Sequence, residues 1–149
     1  ARVNNGSVGS DFLWRFLMSI LKKWLGFFVL CATMNVACAQ SFDNLTPEAS
    51  ANLIKANENN MEFVLLDVRT PEEYSQGHLK NSINIDFYST NFSAELGKLE
   101  KNRTYLVYCR SGRRSASAAG QMKSLGFTKV SNMLGGINQW LQEGRPVEK

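Results

Sequence analysis

Cys109 stands at the end of the run Tyr105-Leu106-Val107-Tyr108 and is followed by Arg110-Ser111-Gly112-Arg113-Arg114-Ser115-Ala116. A thiol attacks as its thiolate, and that form is favoured beside cationic side chains or at a helix N-terminus. Three arginines and a glycine directly after an apolar, β-prone segment supply the first condition. The small residues from 115 onward supply the second, because they can open a helix. The pattern predicts a nucleophile cradled for chemistry on an anion. An inert buried thiol is the ordinary alternative for a lone cysteine, and the arginines weigh against it.

The elements that must hold this thiol are legible on either side of it. Thr46-Pro47-Glu48 predicts a helix start, with an N-cap, a proline at the first helical position and an acid in the first turn. Ala49, Leu53 and Ile54 would form its apolar face, and 57–60 a turn. The nearly continuous apolar run 63–68 predicts a strand buried on both faces of a parallel sheet. Thr70-Pro71-Glu72-Glu73 predicts a second helix start, with Glu73 closing a capping box and Gly77 ending the helix. A short strand at 83–85 and a helix over 92–99 follow. The strand 104–108 leads to the cysteine, and a helix over 115–125 is stopped by Gly126. A strand at 130–133, a tight turn at Gly135-Gly136 and a helix over 137–143 with Trp140 inward complete the pattern. Alternating strands and helices predict an α/β fold, one domain with a parallel sheet and helices on both faces. Ligands of such sheets bind beyond the carboxyl ends of strands, which is where Cys109 falls.

The N-terminal third has a different character. Met18-Ser19-Ile20-Leu21-Lys22-Lys23 is a short basic start, 24–34 is apolar, and Ala37-Cys38-Ala39 offers small residues at positions suited to a signal peptidase. Residues 18–39 are therefore expected to be a signal peptide cleaved before Gln40, and residues 1–17 an upstream extension without assigned function. Residues 40–149 would then be the mature domain, in a periplasmic or extracellular location. The apolar run is short for a membrane span. A membrane location would require an uncleaved signal or a lipid on Cys38, and Asn35 replaces the bulky aliphatic residue that lipidation prefers. Cys31 and Cys38 lie in this segment, which leaves Cys109 as the only thiol of 40–149. The chain carries 17 Lys and Arg against 13 Asp and Glu, a formal net charge of +4. Arg2, Arg15, Lys22 and Lys23, offset by Asp11, account for three of those four charges. No basic stripe remains in 40–149 to suggest nucleic acid. No His, Cys, Asp and Glu cluster has metal-ligand spacing, and no glycine-rich nucleotide loop occurs. No cofactor is expected.

Three separated stretches of 45–145 resemble the rhodanese family of sulfurtransferase domains. One is Leu66-Asp67-Val68-Arg69-Thr70-Pro71-Glu72-Glu73-Tyr74 with Gly77-His78-Leu79 and Asn84. The second is Cys109-Arg110-Ser111-Gly112-Arg113-Arg114-Ser115. The third is Leu134-Gly135-Gly136-Ile137 with Trp140. Asn81-Ser82 departs from the Gly-Ala usual before the short strand. The resemblance implies that Cys109 takes the outer sulfur of a donor such as thiosulfate and holds it as a persulfide. A thiol or cyanide acceptor, or a protein partner in a sulfur relay, would then remove it. It further implies that Arg110, Ser111, Gly112, Arg113, Arg114 and Ser115 bind the substrate. Their amides would converge on the sulfur, and Arg110 and Arg114 would hold a dianionic donor, with Arg113 pointing outward.

In this family a six-residue loop, here 109–114, goes with sulfur substrates, and a seven-residue loop with phosphate- or arsenate-handling relatives. A tyrosine-phosphatase loop would place arginine at 115, where this chain has Ser115. Asp67 and Arg69 lie near the same face in relatives. They are expected to form a structural ion pair or strand-end cap, with a supporting role in the site as the alternative. His78, the single histidine, is expected to fix the loop after the short helix rather than to pair with Cys109. The competing functions are a non-catalytic sulfur carrier or regulatory binding module, and an arsenate or phosphate-ester enzyme using the same thiolate.

Overall fold

The structure, a computed structural model, describes residues 42–149. The expectations for residues 1–17 and 18–39, and for cleavage before Gln40, lie outside the described residues. The chain order is β1 (Asp43–Leu45), α1 (Pro47–Ala56), β2 (Phe63–Asp67), α2 (Pro71–Ser75), β3 (Ile83–Asn84), α3 (Phe92–Gly97), β4 (Thr104–Tyr108), α4 (Arg113–Ser124), β5 (Lys129–Met133) and α5 (Gly136–Gln142). The five strands form one sheet in the order β1-β5-β4-β2-β3, with every pair parallel.

Strand period 2 divides the core in two. Tyr105, Val107 and Cys109 face α3 and α4, where Phe92, Leu96, Ala118, Ala119 and Met122 cover them. Leu106 and Tyr108 face the other way, toward Leu65, Met133, Ile137 and Trp140, with Ala51, Leu53 and Ile54 of α1 against them. Helices therefore cover both faces of the parallel sheet. Each fully buried Leu, Val or Met adds about 1.5–3 kcal/mol relative to exposure. The central strand β4 buries four of its five residues, so its carboxyl end is a rigid mount.

The order of the strands also says where a ligand would sit. The chain leaves β2 outward to β3, whereas it leaves β4 in the opposite direction to β5. The neighbouring carboxyl ends of β2 and β4 are thus the switch point of the sheet, where the connecting segments part and leave a crevice. Asp67 and Tyr108 are paired across it, and Cys109 is the next residue.

Local chemistry explains the helix starts. Thr46 Oγ accepts the Ala49 amide, and Pro47 follows as the first helical residue. Thr70 and Glu73 form both halves of a capping box. The boundary that differs most at the cysteine loop is the start of α4, which begins at Arg113, two residues before Ser115. Its N-cap is Gly112, with φ 90°, and no side chain caps the helix. The left-handed turn at glycine starts the helix, so Arg113 and Arg114 belong to its first turn rather than to a loop. The third helix also stops earlier, at Gly97.

Candidate active site

The Cys109 side chain is fully buried at the end of β4. Its Sγ accepts the Gly112 amide at 3.1 Å and lies 3.4 Å from the Ser115 hydroxyl. Burial alone would raise the pKa of this thiol. The Ser115 hydroxyl and the amides of Ser115, Ser111 and Gly112 oppose burial and together outweigh it, so the thiol is held below its ordinary value. These donors sit in the turn that opens α4, where the helix dipole also favours negative charge. The Ser115 hydroxyl has a second acceptor in the Gly112 carbonyl, 3.1 Å away. Its one proton serves one of the two at a time.

The inward amides have an outward counterpart. The carbonyls of Cys109 and Arg110 turn toward α5 and accept the amides of Ile137 at 2.8 Å and Asn138 at 3.1 Å. This docking brings α5 so close that a Cβ on Gly136, whose φ is +56°, would lie 2.3 Å from the Cys109 carbonyl oxygen. Glycine is required there twice over, by conformation and by space. Gly135-Gly136 is thus the part of the second half-domain that shapes the cysteine loop, and Gly112 packs against its backbone.

The three arginines separate into two roles. Arg110 and Arg113 are exposed and make no ion pair among the described residues. Arg114 is mostly buried and gives both its terminal nitrogens to Glu73, at 2.7 and 2.8 Å. Hydrogen bonds from Arg114 hold the Glu73 carboxyl below its usual range despite partial burial. The guanidinium edge of Arg114, expected to hold an incoming anion together with Arg110, is paired with the Glu73 carboxylate in this structure. Two depressions flank Arg110 and Glu73. One, of about 790 Å³, includes Phe87, Tyr88, Ser111, Arg113 and Arg114. The other, of about 390 Å³, includes Arg69, Gln76, Asn138 and Leu141. A slightly larger groove, of about 850 Å³, lies at the amino end of β2 and contains none of the cysteine-loop residues.

Asp67 and Arg69 form a buried ion pair beside the loop. Arg69 Nε lies 2.9 and 3.0 Å from the two carboxylate oxygens, and its Nη2 lies 2.6 Å from one of them and 2.8 Å from the Gly77 carbonyl. Asn84 donates to the carbonyls of both residues. The two charges are paired with each other beside the loop. His78 stacks on Tyr74 with centroids 3.8 Å apart and pairs through its backbone with Glu148. It anchors the loop after α2 and makes no hydrogen bond to Cys109. Tyr108 Oη accepts the Leu79 amide and bonds to Ser82 Oγ, and burial raises its pKa strongly. It ties the carboxyl end of β4 to that loop. Sequence reasoning gave Glu73 only its capping role and gave Tyr88 none. Tyr88 is 68% exposed, and the Arg114 guanidinium lies over its ring at 5.4 Å.

The site is thus a buried thiol under backbone amides at the switch point of an all-parallel α/β sheet. The comparisons with known proteins name the class: residues 46–143 match the Rhodanese-like domain, and the chain belongs to that family. A sulfurtransferase from Allochromatium vinosum is 31% identical over 86 residues, which span 58% of this chain and 78% of that one. Thiosulfate sulfurtransferase 16 of the Arabidopsis thaliana chloroplast is 35% identical over 97 residues, 56% of this chain and 78% of that one. A rhodanese-related protein from Thermoplasma volcanium superposes with a TM-score of 0.61 at 34% identity, covering 72% of this chain and 98% of that one.

Proposed function

We propose that the domain is a sulfurtransferase in which Cys109 carries the transferred sulfur as a persulfide. The observation that carries this reading is the Cys109 Sγ under the Gly112 amide and the Ser115 hydroxyl. In the first half-reaction the thiolate attacks the outer sulfur of a small anionic donor such as thiosulfate. A Cys109 S–S bond forms, the donor S–S bond breaks, and sulfite leaves with the electron pair. In the second, a thiol or cyanide attacks the outer sulfur of the persulfide, and the Cys109 thiolate departs with its electrons. The same amides that hold the thiolate favour charge on the terminal sulfur in between. A protein thiol in a sulfur relay fits the second half-reaction as well as a small one.

Intact-mass measurement before and after thiosulfate tests this. The protein gains the mass of one sulfur, and cyanide removes it. Cys109→Ser gains nothing and loses at least about a thousandfold in turnover while keeping its melting temperature, because a hydroxyl fits the loop but forms no persulfide. Near-wild-type transfer by that variant, or aryl-phosphate hydrolysis as fast as sulfur transfer, overturns the assignment.

We infer in addition that the protein is exported and begins at Gln40. The support is the basic start with Lys22 and Lys23, the apolar run from Trp24, and Ala37 and Ala39 at the cleavage site. N-terminal sequencing from an exporting host finds Gln40 first. A lipid-bearing Cys38 would place the protein on a membrane instead, and an intact segment recovered from the cytoplasm would refute export.

A further inference from the structure

Glu73 is a carboxylate in a place where an anion-handling site has no evident use for one. It lines both depressions beside Arg110, and its oxygens reach Arg114 at 2.7 and 2.8 Å. One oxygen also accepts the Thr70 amide at 3.2 Å, so the capping box of α2 fixes its position. Arg114 is in turn placed by α4, in the same turn that carries Ser115. The pair therefore joins two rigid helix starts. It takes up the one guanidinium of the three that is mostly buried and leaves Arg110 and Arg113, which are exposed.

We propose that Glu73 is a specificity-determining residue that sequesters Arg114 and thereby sets how strongly the site holds doubly charged anions. With the pair closed, Glu73 and Arg114 contribute no net charge at the rim, and the two-pronged edge of Arg114 is occupied. A dianion meets the loop amides and two exposed arginines. With Glu73 neutralised, Arg114 offers an ordered, partly desolvated fork to the same space, and such forks hold dianions well. The position of Arg114 close enough to Cys109 for their charges to interact supports this, as that interaction contributes to its raised pKa. This inference rests on the reading of Cys109 as an anion-facing nucleophile. Glu73 acts on substrate through Arg114 and is a positioning residue.

Inorganic sulfate is the probe, because it binds without reacting. Its protection of Cys109 against iodoacetamide measures anion affinity whether or not any sulfur is transferred. Glu73→Gln keeps the shape and an acceptor for Thr70 but frees Arg114. Sulfate protection then tightens by about tenfold, the worth of one charge-assisted contact. The KM for thiosulfate falls in step, while kcat changes less than about threefold. Arg114→Gln leaves the Glu73 charge uncompensated and weakens protection by a similar factor. The double variant replaces one neutral pair by another and returns protection to within about twofold of the wild type. Glu73→Asp, which keeps the charge, stays nearer the wild type than Glu73→Gln does. Thermal melts identify any variant that fails to fold, and the Arg114→Gln and double-variant pair then decides alone. If the double variant is as weak as Arg114→Gln, Arg114 binds the anion directly and the proposal fails. Unchanged protection in Glu73→Gln also overturns it. Failure of the sulfurtransferase reading is separate, since it appears as no mass gain in the wild type.

Discussion

The carboxyl ends of β2 and β4 lie side by side at the switch point of the sheet and solve the same problem differently. Each strand ends in a buried group that carries or can carry negative charge, followed by an arginine and a helix start. At the end of β2 the acidic group is held in an ion pair. Asp67 is fully buried, and Arg69, two residues on, meets it through its side chain and its backbone amide. Arg69 Nη2 also donates to the Gly77 carbonyl. At that end the two charges are paired with each other. At the end of β4 the anion is conditional. Among the described residues the Cys109 Sγ meets amide and hydroxyl donors, and the Arg114 guanidinium is spent on Glu73. A carboxylate with its own counter-ion makes a joint. A thiol under unspent donors makes a site.

Gly136→Ala breaks the β4 end most completely. A methyl group there would sit 2.3 Å from the Cys109 carbonyl oxygen and 2.6 Å from the Arg110 carbonyl carbon. An alanine at φ +56° is strained as well. The loop must move off α5 or α5 off the loop, at about 2–5 kcal/mol of stability, summing left-handed strain and overpacking. Urea denaturation measures that loss. Sulfur transfer per folded molecule falls by about a hundredfold or more, because an ångström of misplacement disorganises the donors around the nucleophile. If activity survives, the docking of the Cys109 and Arg110 carbonyls on α5 does not shape the site.

Asp67→Asn breaks the other end and sharpens the contrast. Removing one partner of a buried pair leaves the other charge uncompensated, and Asn keeps only part of the hydrogen bonding. The expected loss is about 3 kcal/mol in urea denaturation. The pH midpoint of Cys109 alkylation stays where it was, because no donor to Sγ is touched. If the folded variant instead loses sulfur transfer with little loss of stability, Asp67 and Arg69 belong to the chemistry, and the division between joint and site is wrong.

What could be read beforehand follows from the range of the interactions. The capping box of Thr70 and Glu73 and the strand Thr104–Tyr108 emerge as expected, since each depends on residues at most a few positions apart. The small residues from 115 point to a helix start there, yet α4 opens two residues earlier, after the left-handed turn at Gly112, and the Ser115 hydroxyl turns to Cys109 and the Gly112 carbonyl. The second use of Glu73, on Arg114, had no local signal. One carboxylate satisfied two partners, and only the nearer partner is visible in the sequence. The requirement for glycine at 136 was hidden for the same reason, because the atoms that would collide with a side chain belong to Cys109 and Arg110. The resemblance to a family fixed which residues gather at the site and left the division of labour among the arginines to the structure.

Ser115→Ala has the smallest effect and asks the finest question about the β4 end. The folded pKa of Cys109 lies below its unfolded value despite burial, because the Ser115 hydroxyl and three amides outweigh the desolvation of the charge. A depressed pKa contributes stability that is fully present above the unfolded value and is lost as pH falls through the folded one. Removing the hydroxyl leaves the amides of Ser111, Gly112 and residue 115 in place. The folded pKa therefore rises only part of the way back. Iodoacetamide alkylation followed against pH shows its midpoint moved upward, with the rate at neutral pH down by about two- to tenfold, the worth of one hydrogen bond. The stability of the variant also depends less on pH across the acid part of that window. A midpoint that does not move would mean that the Ser115 proton stays on the Gly112 carbonyl, 3.1 Å away, and that backbone amides alone make this end of the sheet receptive to negative charge.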